Sequence, residues 1–488
     1  MLLHDIVAQA AEQCPDRLAL QFDDQQWTFA ALHAAVERVA RWLTTLAAAG
    51  ERVVVVSDNR PEIVALLYAA PRAGLVLTFG NTRHTADELG ELIATTEPAV
   101  LVSTNEQLAR LARLDGTAPL IVSLDEVSLL DPPGADSEPC DVHEDDCAWL
   151  IYTSGSTGTP KGVMLTHRSL LAAVDNTVAA RPLAPDDVYL FCFPLFHVAA
   201  YNVLVAHRAQ RPVVLLRRFD ADRVADAVRS ASVTVASFAP TMISSLLDGP
   251  GPEALGPLRQ ISYGASAMPT GLLRRCIDEI PWCGLAQGYG MTELSGNAVF
   301  LDAEDHRRSV TDRPGLLGAA GRPGPLVDVR IIDEAGAVVA TDAVGEVAVT
   351  GDQVSPGYWD NEDATTGARI TDADGRTWFR TGDVGYLNDD GYLFIVDRAK
   401  DLVITGGENV SSREVEDLLS AHPDVAAVAV VGLPDDHWGE RVCAVVVRRT
   451  DCATTPDDLV EWTAGRIAGF KRPKEVVTSR QSTIPARA

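Results

Sequence analysis

Apolar residues recur at helical spacing over residues 2–14 and again over 30–50, where a glycine closes the run. Between them, two short apolar stretches at 18–22 and 27–29 flank Asp23-Asp24, a pattern that predicts a hairpin. Residues 52–57 read RVVVVS, the unbroken apolar run of a strand buried on both faces. A helical pattern follows at 63–73, then short apolar runs at 76–79, 100–103 and 120–123 separated by helical segments. Strands alternating with helices predict an α/β fold with a largely parallel sheet.

Residues 131–146, rich in Pro, Gly, Asp and Glu, read as a surface loop ahead of a strand at 148–153, and the alternation continues to about Tyr289. The texture then changes. Runs at 327–332, 345–350, 378–380 and 392–397, punctuated by Asp-Gly and Glu-Ala-Gly turns, predict a small antiparallel barrel or sandwich. From Arg398 onward the pattern is strand 401–405, helix 412–421, strands 425–432 and 441–448, and helix 459–467. The expected division is therefore a large N-terminal domain, 1–397, and a small α+β domain, 398–488, of about 90 residues. No Gly/Ser tether joins them, so the junction reads as a hinge of a few residues.

Charge narrows the function. The 488 residues carry 41 Lys+Arg against 68 Asp+Glu, a net charge of −27, which disfavours nucleic acid and anionic membranes as partners. The eight cysteines include no C-x-x-C pair, which disfavours a zinc site, and they are too sparse for a disulfide scaffold. Asp5 stands where a signal peptide would be basic, so a reduced, cytoplasmic setting is expected. The longest apolar stretch, 189–206, contains Pro194, His197 and Asn202 and falls short of the roughly 20 residues of a membrane span. It reads as a buried pocket wall. A homo-oligomer is left open.

Only four lysines occur: Lys161, Lys400, Lys471 and Lys474. Lys161 closes the most informative stretch, residues 151–162, IYTSGSTGTPKG. Its glycines let backbone N–H groups crowd round a phosphate, its hydroxyls add donors, and lysine adds charge. It is not a Walker A loop, because glycine rather than Ser or Thr follows the lysine. Five hydroxyl residues, three glycines and a rare lysine together outweigh the alternative of a plain surface loop.

The longer stretch IYTSGSTGTPKGVMLTHRSL resembles the signature loop of the adenylate-forming superfamily of acyl-CoA synthetases, luciferases and nonribosomal peptide adenylation domains. Further segments follow in family order: FPLFH at 193–197, YGASAMP at 263–269, QGYGMTE at 287–293, WFRTGD at 378–383, YLFIVDRAK at 392–400 and GGENVSSREVE at 406–416. The wording of GGENV and FPLFHVAA is most similar to fatty-acyl-CoA synthetases. The resemblance implies ATP, Mg²⁺ and CoA as cofactors and a small carboxylic acid, fatty or otherwise apolar, as substrate. It implies that Thr153, Ser154, Gly155, Ser156, Thr157, Gly158 and Lys161 hold the triphosphate. Thr292 would contact the phosphate that becomes AMP, and Glu293 would hold Mg²⁺. Gly264, Ala265, Ser266, Gly288 and Tyr289 would lie against the adenine, and Asp383 and Arg398 at the ribose. Lys400 would mark the hinge of a mobile lid, with Gly406, Gly407 and Glu408 along the pantetheine tunnel. His197 reads alone as a satisfied core histidine, whereas the resemblance makes it a gate at the acyl pocket, with Phe238, Met242 and Met291 as apolar lining.

One departure stands out. The family places an adenylating lysine near the C-terminus in a P-x-x-x-x-G-K pattern. Here residues 469–477 match the approach, but 478–488 read TSRQSTIPARA, with no lysine. Three explanations stay open: a sequence cut short, a natural end that has diverged, and an enzyme specialised to work without that group. Two other functional readings also stay open, an adenylating enzyme with an amine or carrier-protein acceptor and a nucleotide-binding pseudoenzyme. The sequence as it stands predicts a protein that binds ATP and acyl-AMP but adenylates slowly, since losing one transition-state donor costs about 10²–10³-fold. Pyrophosphate exchange at a rate ordinary for the family would refute this.

Overall fold

In the computed structural model the run RVVVVS becomes the strand Arg52–Val56, a central strand of a seven-stranded sheet. The structure describes residues 1–111, 119–132, 134, 141–153, 160–264, 266, 268–398, 401–405, 408–435, 438–449 and 452–479. The sheet order is Gly357–Tyr358, Lys161–Thr166, Cys147–Thr153, Val76–Phe79, Arg52–Val56, Val100–Ser103, Leu120–Ser123. The last five strands run parallel and the first two are antiparallel additions. Helix Pro61–Arg72, with Pro61 in its first turn, packs on this sheet, and Trp149 lies fully buried with its indole N–H on the Leu67 carbonyl at 3.1 Å.

A nine-stranded sheet carries the second half of the α/β pattern. Its parallel centre is Gly284–Met291, Gln260–Tyr263, Val235–Phe238, Tyr189–Phe191, Val213–Leu215 and Leu18–Phe22. Antiparallel strands flank it: Gln25–Thr28 on one edge, and Gly296–Leu301 followed by Arg322–Pro323 on the other. The antiparallel section is a five-stranded sheet in which the long strand Thr377–Leu387 pairs with Gly345–Thr350, Arg369–Thr371 and Leu393–Arg398. The C-terminal sheet also has five strands, with Gly439–Arg448 at its centre, and it encloses its own core of Val403, Val410, Val415, Leu419, Val430, Val446 and Leu459.

Several elements differ from the sequence reading. The helix expected over 30–50 is Phe29–Leu43, started by Thr28, whose side chain accepts from the Ala31 N–H. It ends early because Thr44 and Thr45 turn their hydroxyls back onto the Arg41 and Trp42 carbonyls, each at 2.7 Å. Gly50, at φ +83°, serves the turn into the next strand instead. The apolar stretch 189–206 is broken into a strand, a 3₁₀ turn Val198–Ala200 and helix Tyr201–Arg208. Among the described residues no helix is long and apolar enough to cross a membrane. The last helix, expected at 459–467, is Pro456–Trp462, and the strands Glu408–Val410 and Glu475–Ser479 had not been anticipated.

His207 ties three elements together. It lies fully buried, with Nε2 at 3.0 Å from the Ala19 carbonyl and Nδ1 at 2.7 Å from the Tyr68 hydroxyl, an arrangement that satisfies a neutral ring. Burial pulls its pKa from the ordinary 6.5 down to about 4, opposed by the Ala19 bond. His167, also buried, is likewise pulled down to about 4. The unfolded chain takes up these protons as pH falls through 6.5, whereas the folded chain resists until about 4. Stability therefore declines as pH drops across that window. Thermal melts between pH 7 and 4.5 should show this decline, and His207→Gln should flatten part of it.

Candidate active site

The candidate residues gather at the carboxyl ends of parallel strands, where open α/β sheets form their crevices. Cys147–Thr153 ends on Thr153, which pairs in register with Lys161 on the returning strand Lys161–Thr166. The hairpin thus brings both ends of the Gly/Ser/Thr loop side by side. Ser154, Gly155, Ser156, Thr157 and Gly158 lie outside the described residues. Lys161 Nζ stands 5.3 Å from the centre of the Tyr358 ring. The Tyr358 hydroxyl donates to Glu293 Oε1 at 3.0 Å. Burial, reinforced by the Glu293 charge, pushes the Tyr358 pKa up and keeps it a donor.

Glu293 comes from the other large sheet. Strand Gly284–Met291 runs into the 3₁₀ turn Thr292–Leu294, and Glu293 is only 9% exposed. The turn is held from beneath. Ser355 N–H donates to the Glu293 carbonyl at 2.8 Å, and the Gln353 amide donates to the carbonyls of Leu294 at 2.9 Å and Asn297 at 3.2 Å. Gln353 in turn accepts from buried Asn176 at 2.8 Å. Ser295 completes the turn at φ +56°, a left-handed conformation uncommon outside glycine. Across the crevice, a Cβ on Gly264 would lie 2.7 Å from the Gly288 carbonyl oxygen, so only glycine permits this approach. Ser266 beyond it is exposed, and Ala265 lies outside the described residues.

Tyr289, Asp383 and Arg398 also meet. The Tyr289 hydroxyl donates to Asp383 Oδ2 at 2.6 Å, and Arg398 Nε lies 3.4 Å from Oδ1. Asp383 and Arg398 are register partners on adjacent strands, which explains the second contact directly. Burial pushes the Asp383 pKa up, opposed by the Tyr289 bond and the Arg398 charge. Tyr289 is pushed up by burial and then by Asp383.

Next in the chain, the buried carboxylate of Asp397 accepts from Ser412 N–H at 2.7 Å, Ser412 Oγ at 2.8 Å and Ser411 Oγ at 3.3 Å. It ties strand Leu393–Arg398 to the N-terminus of helix Ser412–Ser420. Lys400, Gly406 and Gly407 lie outside the described residues, and Glu408, expected in a loop, opens the strand Glu408–Val410 opposite Thr405.

The expected acyl-pocket residues are not gathered in one cluster. Phe238 is fully buried in the core beneath the nine-stranded sheet, Met242 packs at the edge of that core, and Met291 packs against a different one. His197 is not the core residue its apolar neighbours suggested: it is exposed, 4.6 Å from the Phe196 ring between centroids. Although the residue as a whole is exposed, partial desolvation of its ring, followed by the positive charge of Arg83 and then His84, pulls its pKa below the ordinary histidine value.

Sequence reasoning missed Tyr358, Gln353, Asn176 and Asp397. Isolated polar residues carry no periodic signal, and only the Asp397-to-Ser411-Ser412 spacing around a helix start offered a hint.

This crevice brings together Lys161 beside the end of a parallel strand, the buried carboxylate Glu293 on a tight turn, of the kind a hard cation prefers, and the buried carboxylate Asp383 held by Tyr289 and Arg398. The class it defines is that of AMP-forming acid–thiol ligases. The chain belongs to the AMP-binding enzyme family: that family's model matches residues 7–359, and the model of the AMP-binding enzyme C-terminal domain matches 414–486. It is 36% identical over 475 residues to a feruloyl-CoA synthase of Amycolatopsis sp, covering 96% of this chain and 92% of that one. It is 33% identical over 475 residues to a 2-succinylbenzoate–CoA ligase of Bacillus cereus (strain ATCC 10987 / NRS 248), with the same coverage. The ATP-bound crystal structure of MatB from Rhodopseudomonas palustris superposes with a TM-score of 0.88 at 29% identity, over 99% of this chain and 95% of that one.

Tyr289→Phe leaves the buried Asp383 carboxylate without its short hydroxyl partner. It should cost about 1–3 kcal/mol in urea unfolding.

Proposed function

We propose that this protein is an ATP-dependent aryl-CoA ligase that joins an aromatic carboxylic acid to CoA through an acyl-adenylate. Support for the aryl acid comes from the feruloyl and succinylbenzoate ligases, both named for aromatic acids and both aligned over 96% of the chain. The wording of the GGENV and FPLFHVAA segments had pointed to a fatty acid. The observation that carries the site is the convergence of Lys161 and Glu293, from two different sheets, on Tyr358.

In the first half-reaction a carboxylate oxygen attacks the α-phosphorus of ATP, and pyrophosphate departs with the bridging electron pair. In the second, the CoA thiolate attacks the acyl carbonyl and AMP leaves. Thr153 and Lys161, with the hydroxyls and backbone of the intervening loop, bind and neutralise the phosphates. Thr292 would contact the α-phosphate, and Glu293 would hold Mg²⁺, whose chemistry would be to neutralise developing negative charge on phosphate oxygens. Tyr289 and Gly264 flank the adenine. Asp383, with Arg398 behind it, receives the ribose hydroxyls, which suit a buried carboxylate holding donors already. His197, exposed beside Phe196, guards the acyl entrance. Residues 398–488 act as the lid, turning at Lys400 and bringing Gly406, Gly407 and Glu408 to the pantetheine arm.

Incubation with ATP, Mg²⁺ and a panel of cinnamic, benzoic and fatty acids, with and without CoA, tests this reading. Thioester formation with stoichiometric AMP should be greatest for an aromatic acid. Lys161→Ala and Glu293→Ala should each lower kcat/KM by about 10²-fold or more. Preference for fatty acids would overturn the aryl assignment, and AMP release that needs an amine instead of CoA would overturn the acceptor.

A further inference from the structure

We propose that Tyr358 is a positioning residue that sets the metal-binding carboxylate and the phosphate-binding lysine together. The inference rests on the functional reading above and adds to it a residue on neither the signature loop nor the Thr-Glu turn. The hydroxyl of Tyr358 engages one oxygen of Glu293 at 3.0 Å while its ring face receives Lys161 Nζ at 5.3 Å. A hydroxyl donor on one carboxylate oxygen fixes the plane of the group and assigns the second oxygen to the ion. Loss of a partner of this kind behind a metal ligand costs about 10–100-fold in metal affinity or activity. The ring adds an attractive surface that holds the ammonium over the site when no phosphate is bound.

The tyrosine is itself rigidly placed. Its strand, Gly357–Tyr358, pairs antiparallel with Val163 and Met164, on the strand that Lys161 opens. Tyr358 N–H donates to Thr365 Oγ1 at 2.9 Å, and the next residue, Trp359, donates to the Gly162 carbonyl at 2.7 Å. Gly357 lies at φ +140°, and a Cβ there would meet Thr365 at 2.4 Å, so the approach depends on glycine. The same short segment supplies Gln353 and Ser355, which hold the backbone of the Glu293 turn. Residues 353–358 thus form one strap that grips the carboxylate through its side chain and through its main chain, and that reaches the lysine strand on its far side.

Two variants separate the two contacts. Tyr358→Phe keeps the ring and loses the hydroxyl, while Tyr358→Leu loses both. The measurement is Mn²⁺ binding by electron paramagnetic resonance at saturating ATP without acid, with calorimetric ATP binding in EDTA alongside. Y358F should weaken Mn²⁺ about tenfold and leave metal-free ATP binding unchanged. Y358L should weaken both. Unchanged Mn²⁺ affinity in Y358F overturns the proposal. So does an equal loss of metal-free ATP binding in Y358F, or a collapsed melting transition, since either makes the hydroxyl a general fold contact. If the unaltered protein binds neither ATP nor Mn²⁺ with ATP, it is the ligase reading that fails, and the two failures are distinct.

Discussion

An ionised carboxylate taken out of water must be met by donors or neutralised, and three such groups organise this molecule's crevice. Glu293 is met by the Tyr358 hydroxyl, Asp383 by Tyr289 and Arg398, and Asp397 by two serines and a helix N-terminus. The Tyr358–Glu293 and Tyr289–Asp383 pairings join residues 65 and 94 positions apart, whereas Arg398 and the two serines lie close to their partners in the chain. In a protein of net charge −27 these buried acids cannot draw on a generally positive surround. Their local partners therefore carry the cost of desolvation, and the position of each carboxylate follows from the partner that holds it.

The large sheets give those partners a rigid origin. Parallel strands covered on both faces deliver Thr153, Gly264 and Met291 to their carboxyl ends without freedom to shift register. The antiparallel sheet contributes differently: its hydrogen-bond register sets Asp383 directly opposite Arg398, so their ion pair is built by strand pairing alone. A slip of one residue in either strand would turn that strand's side chain to the other face and break the pair.

Much of this was legible beforehand. Strands Val76–Phe79 and Val100–Ser103 lie where the apolar runs placed them, because a fully buried strand needs a continuous apolar run and turn residues bound it; Leu120–Ser123 and Gly345–Thr350 also match, although their first two residues are not buried. The helix over 30–50 was read too long, since threonine hydroxyls that recapture the last carbonyls look no different in sequence from ordinary helical polar residues. Strand Glu475–Ser479 escaped notice because it is short and joins Gly439–Arg448 in parallel, a pairing that local pattern does not announce. Motif residues such as Lys161, Glu293 and Asp383 were found by wording, and so were Tyr289 and Arg398 beside Asp383, but not Tyr358, which meets both Lys161 and Glu293.

The sequence by itself determined the layer architecture, the candidate phosphate loop, the Thr-Glu turn and the family, because local periodicity and contiguous motifs are written along the chain. Only the tertiary structure decided that Tyr358 stands between Lys161 and Glu293, that Asp397 reaches the Ser412 helix, and that Phe238 belongs to a core. These are long-range encounters of single side chains. Their energies depend on distance and desolvation, and neither exists until separate sheets have packed.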